Sequence, residues 1–153
     1  MIVPLDFPKA NLRLKKRNDQ VFVWCILRKK ELLCTPEEWV RQHVIHYLIQ
    51  EKGIPEGLIA SEFNIVYNGR AKRADVVVFN KQMKPLLIVE CKATTVPLSD
   101  ASMFQIAQYN AELNVDYLFL TNGLNHIVCR LNKDKGDLDF LDEIPNDLIE
   151  NNS

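Results

Sequence analysis

The chain has 153 residues, 47% hydrophobic and 25% charged, the composition of a soluble globular unit with a sizeable core, which excludes a disordered or fibrous polymer. Nineteen Lys and Arg stand against 20 acidic residues, so the net charge of −1 exerts no general attraction on a polyanion. No apolar run reaches the roughly 18 residues of a membrane span, residues 1–16 lack the order of a secretory signal, and Cys25, Cys34, Cys91 and Cys129 are too scattered for a zinc site or a disulfide framework, so buried thiols and a cytoplasmic location are expected.

Residues 10–34 predict two or three short strands, because the apolar run Val21 to Leu27 is bounded by Arg17-Asn18-Asp19-Gln20 and by Arg28-Lys29-Lys30-Glu31. Lys15, Lys16, Arg17, Arg28, Lys29 and Lys30 suit either phosphate contacts or the protection of a sheet edge. Thr35-Pro36-Glu37-Glu38 then opens a helix, with Thr35 as N-cap, Pro36 at the first position and Glu38 completing a capping box, and the helix stops at Gly53. Its core stripe is Val40, Val44, Tyr47 and Leu48. Glu38, Arg41, Gln42 and Ile45 border that stripe, where polar groups can point into a cleft. His43 and His46 have no further ligands at metal-binding spacing and are expected at a surface or interface.

A three-strand meander follows. Asn68-Gly69 is a type I′ turn signal that sets Tyr67 opposite Arg70 and Glu62 opposite Asp75. A four-residue loop from Lys81 to Lys84 sets Asn80 opposite Pro85 and Asp75 opposite Glu90, with Lys92 on the same face. Val76 and Val78 point one way and Val77 and Phe79 the other, so the sheet needs helices on both sides, an α/β or α+β sandwich. Ser99 or Asp100 caps a second helix, in which Gln105 and Tyr109 stand one turn apart and either serve a site or face solvent. Val115 to Thr121 predicts a fourth strand, HIVCRL a short one after Asn122-Gly123, and the acidic stretch from Lys133 a short segment or helical turn followed by a frayed tail.

Glu62, Asp75 and Glu90 thus form a row of carboxylates with Lys92 beside them. Like charges facing one another destabilise a sheet, a cost that a divalent cation or a proton relieves. Carboxylate oxygens are hard ligands suited to Mg²⁺, with Mn²⁺ as substitute; Asp75 and Glu90 can share one ion, and the backbone carbonyl of Cys91 can add a ligand. Such an ion lowers the pKa of bound water and neutralises a scissile phosphate, while Lys92 can orient the water or stabilise the developing charge. A structural ion-pair network at a sheet end accounts for the same residues without chemistry.

Asp75, then Glu90-Cys91-Lys92 on the next strand, resembles the PD-(D/E)XK nuclease signature, with Ala74 where the motif has Pro. TPEEWVRQHVIHYL, EFNI, KRADVVVFN, IVECKA, FQIAQYN and LTNG, in succession over roughly residues 20–131, resemble the N-terminal nuclease domain of type I restriction enzyme R subunits and their stand-alone relatives. The resemblance implies a restriction-endonuclease-like core, a mixed central sheet flanked by helices in α-β-β-β-α-β order. This core would span about 35–131 within a single domain 1–153, with a β-hairpin extension in 10–34 and a polar tail in 133–153. It implies metal coordination by Asp75 and Glu90, catalytic support from Lys92, a metal-proximal role for Glu38, and a Q-x-x-x-Y element, Gln105 and Tyr109, near DNA. Arg41, on the helix flank, and Glu62, beside Asp75 by the hairpin count, are expected to support the site.

The implied function is Mg²⁺-dependent endonucleolytic hydrolysis of DNA in restriction, defence or DNA processing. The alternative is a catalytically silent nucleic-acid-binding or scaffold module of the same fold. No G-x-x-x-x-G-K-[ST] loop is present, so a helicase or recognition subunit would be a separate partner beside the DNA, and a dimer is compatible with the sequence.

Overall fold

Left-handed residues turn the first strands where the sequence supplies Asn, Asp and a long basic side chain. Asn18 and Asp19 (φ 51° and 64°) connect Leu14–Arg17 (β1) to Gln20–Cys25 (β2), and Lys29 (φ 54°) precedes Lys30–Leu33 (β3). The computed structural model describes residues 2–132 and 134–151, the side chains of Tyr109 and Asn151 excepted. β1, β2 and β3 form an antiparallel sheet in that order, whose inner face lays Val21, Val23 and Leu32 against Cys34 and Trp39.

Thr35 caps Pro36–Gln50 (α1): its Oγ1 accepts the Glu38 N–H at 3.1 Å, and Pro36 fills a position whose N–H would lack a partner. The expected capping box is half made. The Thr35 N–H donates to the Leu33 carbonyl at 2.9 Å, which leaves the Glu38 carboxylate to turn inward. His46 is buried, and a ring nitrogen of the half-buried His43 lies 2.8 Å from the Trp39 carbonyl, so these are interior histidines and not surface ones. All four cysteines are free and buried.

Ile59–Tyr67 (β4), Arg70–Phe79 (β5) and Pro85–Cys91 (β6) form an antiparallel meander. Asp100–Glu112 (α2), capped by Ser99 Oγ on the Ser102 N–H at 3.1 Å, crosses to Tyr117–Thr121 (β7), which runs parallel to β6. His126–Asn132 (β8) and Asp137–Leu141 (β9) complete a second meander, giving a six-stranded mixed sheet in the order β4-β5-β6-β7-β8-β9. The fold is α+β, and the expected α-β-β-β-α-β order is present as α1-β4-β5-β6-α2-β7. Val76, Val78, Leu87, Val89 and Phe119 pack with Val40, Val44 and Leu48 of α1; Val77, Phe79, Ile88 and Leu118 pack with Met103 and Ala107 of α2.

The first turn is as expected, with Asn68 and Gly69 at φ 51° and 76° and Tyr67 opposite Arg70. The second differs. Asn80 Oδ1 accepts the N–H groups of Gln82 and Lys84 at 2.9 and 3.0 Å, which closes a longer loop that pairs Phe79, not Asn80, with Pro85. A bulge between Val78 and Phe79 offsets the shift, so Val76 faces Val89 as the simple count requires.

The register of β4 on β5 is the same on both sides of Glu62 and Asp75, yet the ladder skips these two, and Glu62 takes φ 49°. Residues an even number apart share a face of a regular strand. Here Val76 joins the α1 core and Ala74 the α2 core, and Ile59 and Ile65 divide in the same way. The hairpin therefore makes a half-turn at Glu62 and Asp75.

The frayed tail expected after Lys133 is corrected. β9 pairs with β8, and Leu148–Asn151 (α3) brings Leu148 and Ile149, with Ile144, into the α1 core. The alternation in DLDFL was obscured by its acidic setting; Lys133, Asn152 and Ser153 lie outside the described residues. Among the described residues no helix is long and apolar enough to cross a membrane.

Candidate functional site

The first turns of α1 lie against the middle of β4 and β5, where the hairpin half-turn occurs, beside the end of β6. Arg41, 5% exposed, meets Glu38 Oε1 at 2.5 Å, Glu37 Oε1 and Asp75 Oδ1 at 3.1 Å each, and Glu62 Oε1 at 3.7 Å. The second Glu38 oxygen accepts from Gln42 Nε2 at 3.0 Å. Burial pulls the Arg41 pKa down, but Glu38 and Asp75 more than offset it and hold the guanidinium charged.

Asp75 Oδ2 accepts the Cys91 N–H at 2.7 Å, so the side chain takes over where the backbone ladder ends. This fixes Asp75 against β6 one pair beyond Val76 and Val89, the position opposite Glu90. Glu90, itself 9% exposed, lies 2.5 Å from Lys72 Nζ, which supplies its counter-charge. Burial raises the Glu90 pKa, Lys72 pulls it back, and the neighbouring Asp75 charge adds to the rise. Burial and then Asp75 raise Glu37 in the same way, and the Lys92 charge lowers both glutamates.

Two expectations change. Asp75 and Glu90 do not share one face: the half-turn leans Asp75 to Arg41 on the α1 side, while Glu90 meets Lys72, the cross-strand partner of Ile65, on the α2 side. The row of carboxylates is also not bare, since Arg28 and Arg73 reach Glu62 at 3.0 and 3.4 Å, and Arg41 and Lys72 serve the rest. Glu37, Lys72 and Arg73 were not anticipated, and Arg28, expected at phosphates or a sheet edge, instead meets Glu62. Strand alternation puts Lys72, three before Asp75, on the wrong face, and only the half-turn brings it in.

Beside the cluster opens a cleft of about 540 Å³ bordered by Arg28, Leu33, Glu37, Arg41, Glu62 and Ala93. Gln105 is exposed and lines a different groove, of about 480 Å³, with Phe104, Leu131 and Leu138; no acid of the cluster borders it. Tyr109 lies in α2, its side chain outside the described residues.

Among the described residues, buried Arg41 Nε and Gln42 Oε1 make no hydrogen bond, so the cluster holds polar atoms left without such a partner. Asp75 and Glu90 offer hard oxygens on adjacent strands, and in kind these donors fit Mg²⁺. Among the described residues no three His, Cys, Asp or Glu side chains converge on one point, so an ion would have to draw the carboxylates away from Arg41 and Lys72.

Residues 36–145 match the family model described as type I restriction enzyme R protein N terminus (HSDR_N). Among solved structures the chain is similar to a fragment described as an HsdR subunit of a type I restriction enzyme from Vibrio vulnificus YJ016, with 23% identity and a TM-score of 0.42. That likeness covers 61% of this chain and 20% of the other, so the chain spans about a fifth of that protein's length. No curated protein matches the chain. The family model takes in α1, the whole six-stranded sheet and α2, and the chain therefore belongs to the type I restriction enzyme R protein N-terminus family, a family of restriction-related nuclease domains.

Proposed function

We propose that the chain is a Mg²⁺-dependent deoxyribonuclease domain that hydrolyses DNA phosphodiester bonds. The observation that supports this most is Asp75, tied to the Cys91 N–H beside Glu90, with Lys92 just past the end of β6. Asp75, Glu90 and the Cys91 carbonyl would hold the ion, which when bound lowers the pKa of water and neutralises the scissile phosphate. Lys92 contributes a cation beside the acids, suited to orienting a water or to stabilising charge on the phosphate. Glu38 positions Arg41, and Arg41 holds the Asp75 carboxylate on the cleft side. The similar protein is described as a subunit of a type I restriction enzyme, and by extension this chain would work in the cytoplasm with a helicase or recognition subunit.

Manganese titration followed by electron paramagnetic resonance tests the reading. Wild-type protein is expected to bind Mn²⁺, with affinity falling at least about tenfold in Asp75→Ala and in Glu90→Ala, and the same variants should lose nicking of plasmid DNA. Intact plasmid at high protein concentration, together with no Mn²⁺ binding, would sink it. The second reading, a silent module, is favoured by the way Arg41 and Lys72 already neutralise the acids. On that reading Mn²⁺ does not bind and Asp75→Ala only lowers stability.

A further inference from the structure

The sheet β1-β2-β3 precedes the residues the family model matches, and one of its faces takes no part in the core. Alternation sends Val21, Val23 and Cys25 inward. Outward go Arg13, just before the first strand, Lys15 and Arg17 along it, and Phe22 and Trp24 along the second, with Lys15 opposite Phe22. The Trp24 N–H donates to the Arg13 carbonyl at 2.9 Å, which sets those two residues side by side. The Arg13 guanidinium lies 5.1 Å from the centre of the Trp24 ring and the Arg17 guanidinium 4.4 Å from that of Phe22. A depression of about 210 Å³ runs between them.

Charge is distributed unevenly along the chain. Residues 9–31 carry eight of the 19 Lys and Arg but two of the 20 acidic residues, so a chain of net charge −1 holds a concentrated positive block. One of those acids, Glu31, pairs with Arg17 at 2.6 Å and leaves the outward face with a net positive charge. A guanidinium stacked on a ring is oriented before any ligand arrives, and its planar fork suits phosphate oxygens. Aromatic rings interleaved with cations are also the pattern that tracks a nucleic-acid strand without reading its bases. The face is continuous with the acid cluster: Leu33, 45% exposed, pairs with Phe22 and also borders the cleft beside Glu37 and Arg41.

We infer that the outward face of β1-β2-β3 is a docking platform for the phosphodiester backbone of a DNA strand, leading that strand into the cleft. Choosing DNA over an acidic protein segment rests on the hydrolase reading of the cluster. The test is fluorescence anisotropy of a labelled single-stranded DNA oligonucleotide with the full chain in excess chelator, so that no cleavage occurs. Wild type is expected to bind with affinity that falls steeply as salt rises, and Lys15→Glu and the double variant Arg13→Gln/Arg17→Gln to bind about tenfold more weakly. The slope of log affinity against log salt should shrink by about one for each cation removed. Lys81→Ala/Lys84→Ala, on the remote β5–β6 turn, should bind as wild type, and thermal melts should show each variant folded. Binding should quench tryptophan fluorescence, an effect reduced in Trp24→Phe. Failure of wild type to bind, undiminished binding by Lys15→Glu, or equally good displacement by polyglutamate would each overturn the platform. Mn²⁺ binding is expected to be unchanged in Lys15→Glu. In the wild type, Mn²⁺ binding without DNA binding counts against the platform alone, and DNA binding without Mn²⁺ binding against the hydrolase reading alone.

Discussion

Replacing Arg41 with Ala would leave Glu38, 6% exposed, with Gln42 as its remaining side-chain partner and would take from Asp75 its guanidinium contact. Removing one member of a buried ion network costs about 3–5 kcal/mol, because the charges left behind stay buried. Arg41→Ala is expected to lose an amount in that range by urea denaturation, and Arg41→Lys to recover part of it, since a single ammonium cannot place separate nitrogens on Glu38 and Asp75. At this scale the sequence was informative about acids and silent about their counter-charges. Counting from Asn68-Gly69 brings Glu62 to Asp75, but Lys72 enters through a left-handed backbone at Glu62, a non-glycine that no propensity marks as a turning point.

Among the elements, α1 carries the titration behaviour. Burial lowers the pKa of His43 and of His46, and each also gains from or suffers its surroundings: the Trp39 carbonyl raises His43, and the His43 charge lowers His46 further. A histidine whose folded pKa lies below its unfolded value near 6.5 costs nothing above that value, and stability is lost as pH falls through the window beneath it. Urea denaturation at pH 7.5 and 5.5 should show this loss in wild type and a smaller one in His46→Asn. Element boundaries were legible where caps and turns are chemical, as with Thr35, Asn68-Gly69 and Ser99. The register at Glu90 was reached through two local errors of opposite sign, a loop longer than expected and a bulge that takes up the extra residue. β9 and the docking of the C-terminal helical turn were missed because their apolar residues are set among acids, and their burial depends on a core assembled from distant parts of the chain.

For the whole molecule, the charge total conceals what matters, since a basic N-terminal block and an acidic remainder nearly cancel. The six-stranded sheet likewise divides in two: β4-β5-β6 and β7-β8-β9 are each built from hairpin-like neighbours, and a single parallel pairing, β6 with β7, joins them after the α2 crossover. Contacts between sequence neighbours form early and pairing across a crossover comes late, so each half has the means to organise before the two dock. Thr95, Val96 and Pro97 are exposed in the connection, and Asn122 Nδ2 holds the Val96 carbonyl at 2.8 Å from the far half. Co-expressed fragments 1–96 and 97–153 should therefore copurify through a tag on one of them. A seam of this kind lends itself to complementation, with completion of the sheet behind the cluster placed under the control of whatever brings two polypeptides together.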